Sequence, residues 1–540
     1  MYYPDKKTFK ELSKEGLMVP VYKELEGTPG EPFEIFERLN LSKNSFLLES
    51  ARFHPKTGRY SFLGFDPFMV FRSKGRCIEI TRRDGDTERF EGNPILELRR
   101  LFNDLRSVRL DGLPNFTGGA VGYFGYDICH FFETLPKIAE DDLKIPDINL
   151  LFVDTIIAFD HVTGSVKIIS NAHGLKDADK SYDEAIDKIE RVVTRLEKGT
   201  NSLYGISKLR EIAEFIPSCQ RDYFPQPAPS EIASLTLAMT KKRGHCEESR
   251  GIGTTWQSNF PSIKSNFTEE GFGKIVKKAK EYITSGDIFQ ANLSQRFSVP
   301  CPLDPFVLYK ALRGINPSPF AAYLDLGDLQ IVSSSPERLL KLEGRDVQTR
   351  PIAGTRPRGK TIEEDRRLSH ELILNEKERA EHIMLVDLER NDLGRVCEYG
   401  TVLVDEFLVL EEYSHVFHIV SNVIGKVRHG MDCFDLLRAG FPGGTITGCP
   451  KVRCMEIIDE LEPVTRNIYT GSIGYLGFNG DMDLNIVIRT LILTKGIGYL
   501  QVGAGIVADS DPVREYYETL YKAEALFKAL DKVMPLGNAK

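Results

Sequence analysis

Hydrophobic periodicity first becomes sharp after Thr268, which is placed to cap a helix carrying Glu269 and Glu270 in its first turn. Phe272, Ile275, Val276, Ala279, Tyr282 and Ile283 then recur at helical spacing until Gly286 ends the run. Residues 481–493 show the other period: Met482, Leu484, Ile486 and Ile488 alternate with Asp483, Asn485 and Arg489, which predicts a half-buried strand. Runs 61–64, 77–81 and 156–159 are β-prone and bounded by Gly, Asp or Pro, so they read as strands too. Run 118–125 is a glycine-rich strand against which another chain segment must come close. Residues 375–393 read as one helix, a second helix starts near Val452 and a third at Pro512.

The pattern divides the chain. Residues 1–198 hold short strands with interspersed helices; residues 199–264 contain Pro217, Pro225, Pro227, Pro229, Pro261 and the Lys241, Lys242, Arg243 cluster with little apolar period. That stretch reads as a connecting excursion. Residues 265–532 alternate strands and helices densely, and 533–540 form a tail. With 540 residues, 41% hydrophobic and 27% charged, the chain can bury a large core. A net charge of -8 leaves no broad basic field for sequence-independent nucleic-acid binding. Nine cysteines, an odd number with no CxxC pair, argue for reduced thiols in a cytoplasm. The polar start and the lack of a span-length apolar run give no reason to expect a membrane.

Several constellations are candidates for chemistry. Glu378 and Glu381 share a helix face, and so do Glu515 and Glu518 after the Pro512 start. Two solvated acidic faces fit this spacing; so do two faces meeting around a hard cation such as Mg²⁺. Gly503, Ala504 and Gly505 would let a ligand approach the main chain, with Lys522 downstream. The loop 441–451, with Thr445, small residues and Lys451 before a helix, reads either as an anion cradle or as a structural turn. Cys449 stands where a Walker loop would need Lys. His418 in an apolar run is either a core histidine or an acid-base group, and Arg489 either a surface residue or a carboxylate fork.

Taken together, the stretches 286–290, 334–338, 350–356, 378–395, 443–451, 488–490 and 503–518, with His418, resemble one family. These are the chorismate-utilising enzymes, in particular the anthranilate synthase component I and aminodeoxychorismate synthase component I group. The resemblance runs through 267–530 and, more loosely, 33–159. It implies an α/β (α+β) fold with two antiparallel sheets sandwiched and helices outside. It also implies Mg²⁺ at Glu381 and Glu518 with Glu378 and Glu515 beside them, and a substrate carboxylate held by Arg489, Tyr469 and the Gly503–Gly505 main chain. Lys522, Thr445, Gly354 and Thr355 would line the same pocket, with His418 as the acid-base residue near the C4 hydroxyl.

Which member is harder to read. Ala353 stands where many aminodeoxychorismate synthases carry a nucleophilic Lys, and this points to anthranilate synthase component I. The wording 290–294, 319–323, 443–448 and 469–475 points to aminodeoxychorismate synthase component I, including Gly444 where anthranilate synthases more often have Ala. The expectation is the latter, with the former as alternative. Leu48, Glu49 and Ser50, with Pro319 and Phe320, resemble a tryptophan-binding motif, although Phe320 and Ala321 depart from its usual residues. No cysteine sits in a Gly-x-Cys-x-Gly elbow, so ammonia is expected from a separate glutamine amidotransferase subunit.

Overall fold

The computed structural model describes the chain except residues 28–29, 42, 52–57, 175–176, 202–262, 360, 413–415 and 535–540. Most of the expected excursion 199–264 and of the tail 533–540 therefore lies outside the described residues. The helix expected after Thr268 is Glu269–Thr284; the Thr268 hydroxyl accepts the Gly271 N–H at 3.0 Å, and Phe272, Val276 and Ala279 are buried. Chain reversal follows at Gly286, whose φ of 83° suits glycine.

Two twelve-stranded sheets carry the fold, and every strand pairing in them is antiparallel. The first runs, in spatial order, Met18–Leu25, Ser165–His173, Thr155–Asp160, Tyr60–Gly64, Ser45–Glu49, Phe320–Asp325, Leu329–Ser335, Thr490–Thr494, Ile497–Ile506, Gln290–Pro300 and Lys264–Ser265, with Gly448–Cys449 added on Gln290–Pro300. The second runs Ile352–Pro357, Val416–Lys426, Asp346–Thr349, Arg338–Glu343, Met482–Asn485, Ser472–Gly477, Gly119–Phe124, Ile148–Val153, Met69–Lys74, Cys77–Arg82 and Thr87–Glu91, with Leu403–Glu412 beside Val416–Lys426. Each sheet thus mixes strands from before residue 198 with strands from after residue 264.

Between the sheets pack Phe46, Phe62 and Ile331 from one and Val121, Leu151 and Tyr475 from the other. The outer face of the first sheet is covered by helices including Pro32–Leu39, Ala178–Asn201, Pro305–Ile315 and Pro512–Val533. Helices Pro94–Asp104, Glu376–Gly394 and Cys433–Gly440 cover the second, while Lys451–Leu461 packs chiefly on Gln290–Pro300 of the first. The layering is helix, sheet, sheet, helix, as the sequence resemblance implies.

One expected element is different. Residues 481–493 are not a single strand: Met482–Asn485 belongs to the second sheet and Thr490–Thr494 to the first. At the crossing Ile486 and Val487 are both buried, in two different cores, so the alternation breaks where the chain leaves one layer for the next. Arg489 sits on that crossing with a left-handed φ of 50°.

Candidate active site

Two helix N-termini bring the acidic pairs together. Asn375 caps Glu376–Gly394 by accepting the Glu378 N–H at 3.0 Å, and Asp511 caps Pro512–Val533 by accepting the N–H groups of Val513 and Arg514. One turn into the first helix, burial pushes the Glu381 carboxyl up, opposed by Lys377 at 3.9 Å and reinforced by Glu378, Asp509 and Glu518. Burial also raises Glu515, with Glu518 adding to it. Glu518 itself is held low, chiefly by Lys522, whose Nζ lies 3.1 Å from its Oε1. The two acidic faces therefore meet closely enough for Glu381 and Glu518 to repel.

From these carboxylates the remaining motifs close into a ring. Lys522 Nζ donates to the Gly503 carbonyl at 3.0 Å. A Cβ on Gly503 would lie 2.8 Å from Tyr469 Oη and 2.4 Å from Asn292 Oδ1, so this strand must be bare there. Gly503, Ala504 and Gly505 pair with Ser294, Leu293 and Asn292. Asn292 Nδ2 in turn donates to the Thr445 carbonyl at 3.4 Å. Thr445 lies beside Glu337, a carboxyl only 6% exposed. On the other side, Glu378 Oε1 accepts from Arg356 at 3.1 Å, and a Cβ on Gly354 would lie 2.9 Å from Glu378 Oε2. The Gly354 carbonyl accepts from His418 Nδ1 at 3.2 Å, which leaves Nε2 as the acceptor nitrogen. Thr355 pairs with His418 along the strand edge, while its side chain lies outside the described residues.

Arg489 acts on both buried titratable groups. Burial pushes His418 down to about 4, and the Arg489 charge adds to the effect. Burial pushes Glu337 up to about 8, with Glu389 adding and Arg489 opposing. Thr445 hydrogen-bonds the Glu337 carboxyl and opposes its rise, and Glu337 Oε1 is left buried without a further partner. An unsatisfied polar atom in a ring of this kind marks a place for ligand.

Sequence reading overlooked two features. Glu337 stood within a stretch noticed only for its wording; the signal was a single acid after Ser333, Ser334, Ser335 and Pro336 at a strand end. Arg466, 2% exposed, has no local signal, since a partner four residues away at Glu462 reads as a surface pair. Its guanidinium donates to Glu462 at 2.7 Å, to the carbonyls of Asn292 and Ile446 at 2.6 and 2.9 Å, and lies 5.6 Å from the Tyr469 ring. Lys451, read in the 441–451 loop as part of an anion cradle or a structural turn, is buried, paired with Asp392 and donating to the Gly440 carbonyl at 3.3 Å.

Leu48, Glu49, Ser50, Pro319 and Phe320 do come together, since Ser45–Glu49 and Phe320–Asp325 are neighbouring strands. Ser50 Oγ donates to the Pro319 carbonyl at 3.1 Å, and Glu49 Oε2 accepts from Tyr309 and Arg313 at 2.7 and 2.8 Å.

Among the described residues no three His, Cys, Asp or Glu side chains converge as a ready cluster. Mg²⁺ needs only one or two carboxylates when waters and a substrate supply the rest, and the mutual repulsion of Glu381 and Glu518 is what a cation relieves. The residues fit.

The family model for chorismate binding enzyme matches residues 44–528. The chain belongs to the chorismate-binding enzyme family. Within that family it is 42% identical over 537 residues to anthranilate synthase component 1 of Acetivibrio thermocellus, covering 98% of this chain and 99% of the relative. It is 44% identical over 499 residues to aminodeoxychorismate synthase component 1 of Bacillus subtilis, covering 92% and 94%. The structure of anthranilate synthase component I from Streptococcus pneumoniae superposes with a TM-score of 0.68 at 31% identity, covering 94% of this chain and 99% of that one. As a chorismate-binding enzyme it has, among the described residues, no helix long and apolar enough to cross a membrane, and the seven described cysteines are free.

Proposed function

We propose that this chorismate-binding enzyme is an aminodeoxychorismate synthase component I, which aminates chorismate to 4-amino-4-deoxychorismate in the cytoplasm. Ammonia comes from a separate glutamine amidotransferase, in keeping with the name component 1 carried by its relatives. One observation carries the choice between the two synthases. A Cβ at Gly444 would lie 2.4 Å from Leu388 Cδ2 on the helix that holds Glu378 and Glu381, so the Gly-Gly wording is matched to the packing of the site. An Ala there would force Leu388 to turn.

In this reading the Arg489 fork, the Tyr469 hydroxyl and the N–H groups of the Gly503–Gly505 segment hold the enolpyruvyl carboxylate. Glu337 keeps its proton at neutral pH and gives it to the departing C4 hydroxyl. His418 is neutral, so it orients and accepts instead of donating a proton. Mg²⁺ would be held by Glu381 and Glu518, with Glu378 and Glu515 beside them, and would draw electrons from the ring carboxylate. Ala353 supplies no amine, so ammonia itself is the nucleophile. That same Ala353 favours the second reading, anthranilate synthase component I.

The test is to incubate the chain with chorismate, Mg²⁺ and ammonium salt at pH about 8.5, following anthranilate fluorescence beside chromatography. A non-fluorescent amino product, turned into 4-aminobenzoate only by an added lyase, is expected. Direct anthranilate with pyruvate would establish the second reading, and no turnover would remove both.

A further inference from the structure

A cavity of about 520 Å³ opens at the far end of the molecule, under helix Ala178–Asn201. It shares no residue with the catalytic ring. Along the second sheet, the strand Met69–Lys74 at its floor is seven steps from Val416–Lys426 and His418. At about 4.8 Å per step that is roughly 34 Å.

Its lining is strongly basic in a chain whose net charge is -8. Lys43, Arg82, Arg83, Lys188, Arg191 and Arg195 line it beside Asp66 and Asp154, with Arg82 also paired to Glu88 at 2.9 Å and Lys43 to Asp328 at 3.9 Å outside the lining. Asp154 is shared by Lys188 at 3.0 Å and Arg83 at 3.9 Å. Arg191 donates to the Asp187 carbonyl at 3.3 Å, and Arg195 lies over the Phe65 ring at 5.2 Å; among the described residues neither meets a carboxylate. Glu190 on the same helix is turned away to Tyr2 and Lys23. Phe65, Val70 and Val192 add an apolar wall. The volume lies in the range of small-molecule sites, a guanidinium fork matches phosphate oxygens bidentately, and several cations gathered in one cavity suit the multiple charges of a phosphate ester.

We propose that this cavity binds a small phosphorylated ligand, one per chain, at a site separate from chorismate. Nothing in this depends on which amination the catalytic ring performs.

Calorimetric titration of the full-length chain with tripolyphosphate tests it. One saturable site is expected, with Kd at or below about 100 µM. Arg191→Glu/Arg195→Glu, checked for an unchanged melting temperature, is expected to weaken it at least about tenfold. Should the double variant melt early, Arg191→Gln serves in its place, with a weakening of about threefold or more. Absence of saturable binding up to several millimolar, several equivalent sites, or unchanged affinity in a stable variant would each overturn the proposal.

Discussion

Glu337 and His418 flank Arg489, and burial moves them in opposite senses, the carboxyl up to about 8 and the imidazole down to about 4. Near pH 7 both are neutral, so in the proposed reaction it is the glutamic acid that has a proton to give. The rate with ammonium salt, divided by the concentration of un-ionised ammonia, is therefore expected to fall as pH rises through about 8. Glu337→Gln keeps shape and loses the proton, so kcat should drop about 10²- to 10⁴-fold. Stability follows the same carboxyl. The folded chain holds a proton that the unfolded chain releases above its ordinary value of 4.5, so the contribution is full below that value and lost as pH rises through about 8. Denaturant midpoints across that window should fall less steeply in Glu337→Gln than in the parent. None of this was visible in the residue order, because a pKa shift of this kind is made by burial, and the groups around Glu337, among them Thr445, Glu389 and Arg489, are remote from it in the chain.

At the scale of elements, two helices and one loop decide whether the site assembles. Helices Glu376–Gly394 and Pro512–Val533 present Glu381 and Glu518 to each other across a gap that their own charge opposes. Saturating Mg²⁺ is expected to raise the melting temperature by a few degrees, a gain of about 2.7 kcal/mol at a hundredfold excess over Kd. A chelator should reverse the rise, and Glu381→Gln/Glu518→Gln should abolish it. Arg466 joins three segments at once: the carbonyl of Asn292 on its strand, the Ile446 carbonyl in the loop and the ring of Tyr469. Arg466→Met strands the buried Glu462 carboxylate and is expected to cost about 3–5 kcal/mol in urea denaturation. Adding Glu462→Gln should recover part of that cost. The spacing of the glutamates was legible in the sequence because an α-helix repeats; their meeting was not, because it depends on how two helices separated by more than a hundred residues are docked.

At the scale of the molecule, the two large regions are not two bodies. Phe320–Asp325 pairs with Ser45–Glu49, and Ser472–Gly477 pairs with Gly119–Phe124, so both sheets are closed by strands from each region. Residues 1–198 and 265–540 expressed separately are each expected to be insoluble or unstructured by circular dichroism, and to form a soluble complex when co-expressed. A native-like spectrum from either piece alone would contradict this.

The sequence by itself determined the local elements, the family and most of the ring's members, because caps, periods and short motifs are properties of neighbouring residues. Thr268 and Gly286 mark their helix, Asn375 and Pro512 theirs, and the glycines of 503–505 mark a bare strand. Tertiary structure alone decided the crossing at Arg489, the burial of Lys451, the anchoring by Arg466 and the opposite protonation of Glu337 and His418. Each of these rests on contacts between segments distant in the chain, where desolvation and packing, not local propensity, set the free energy.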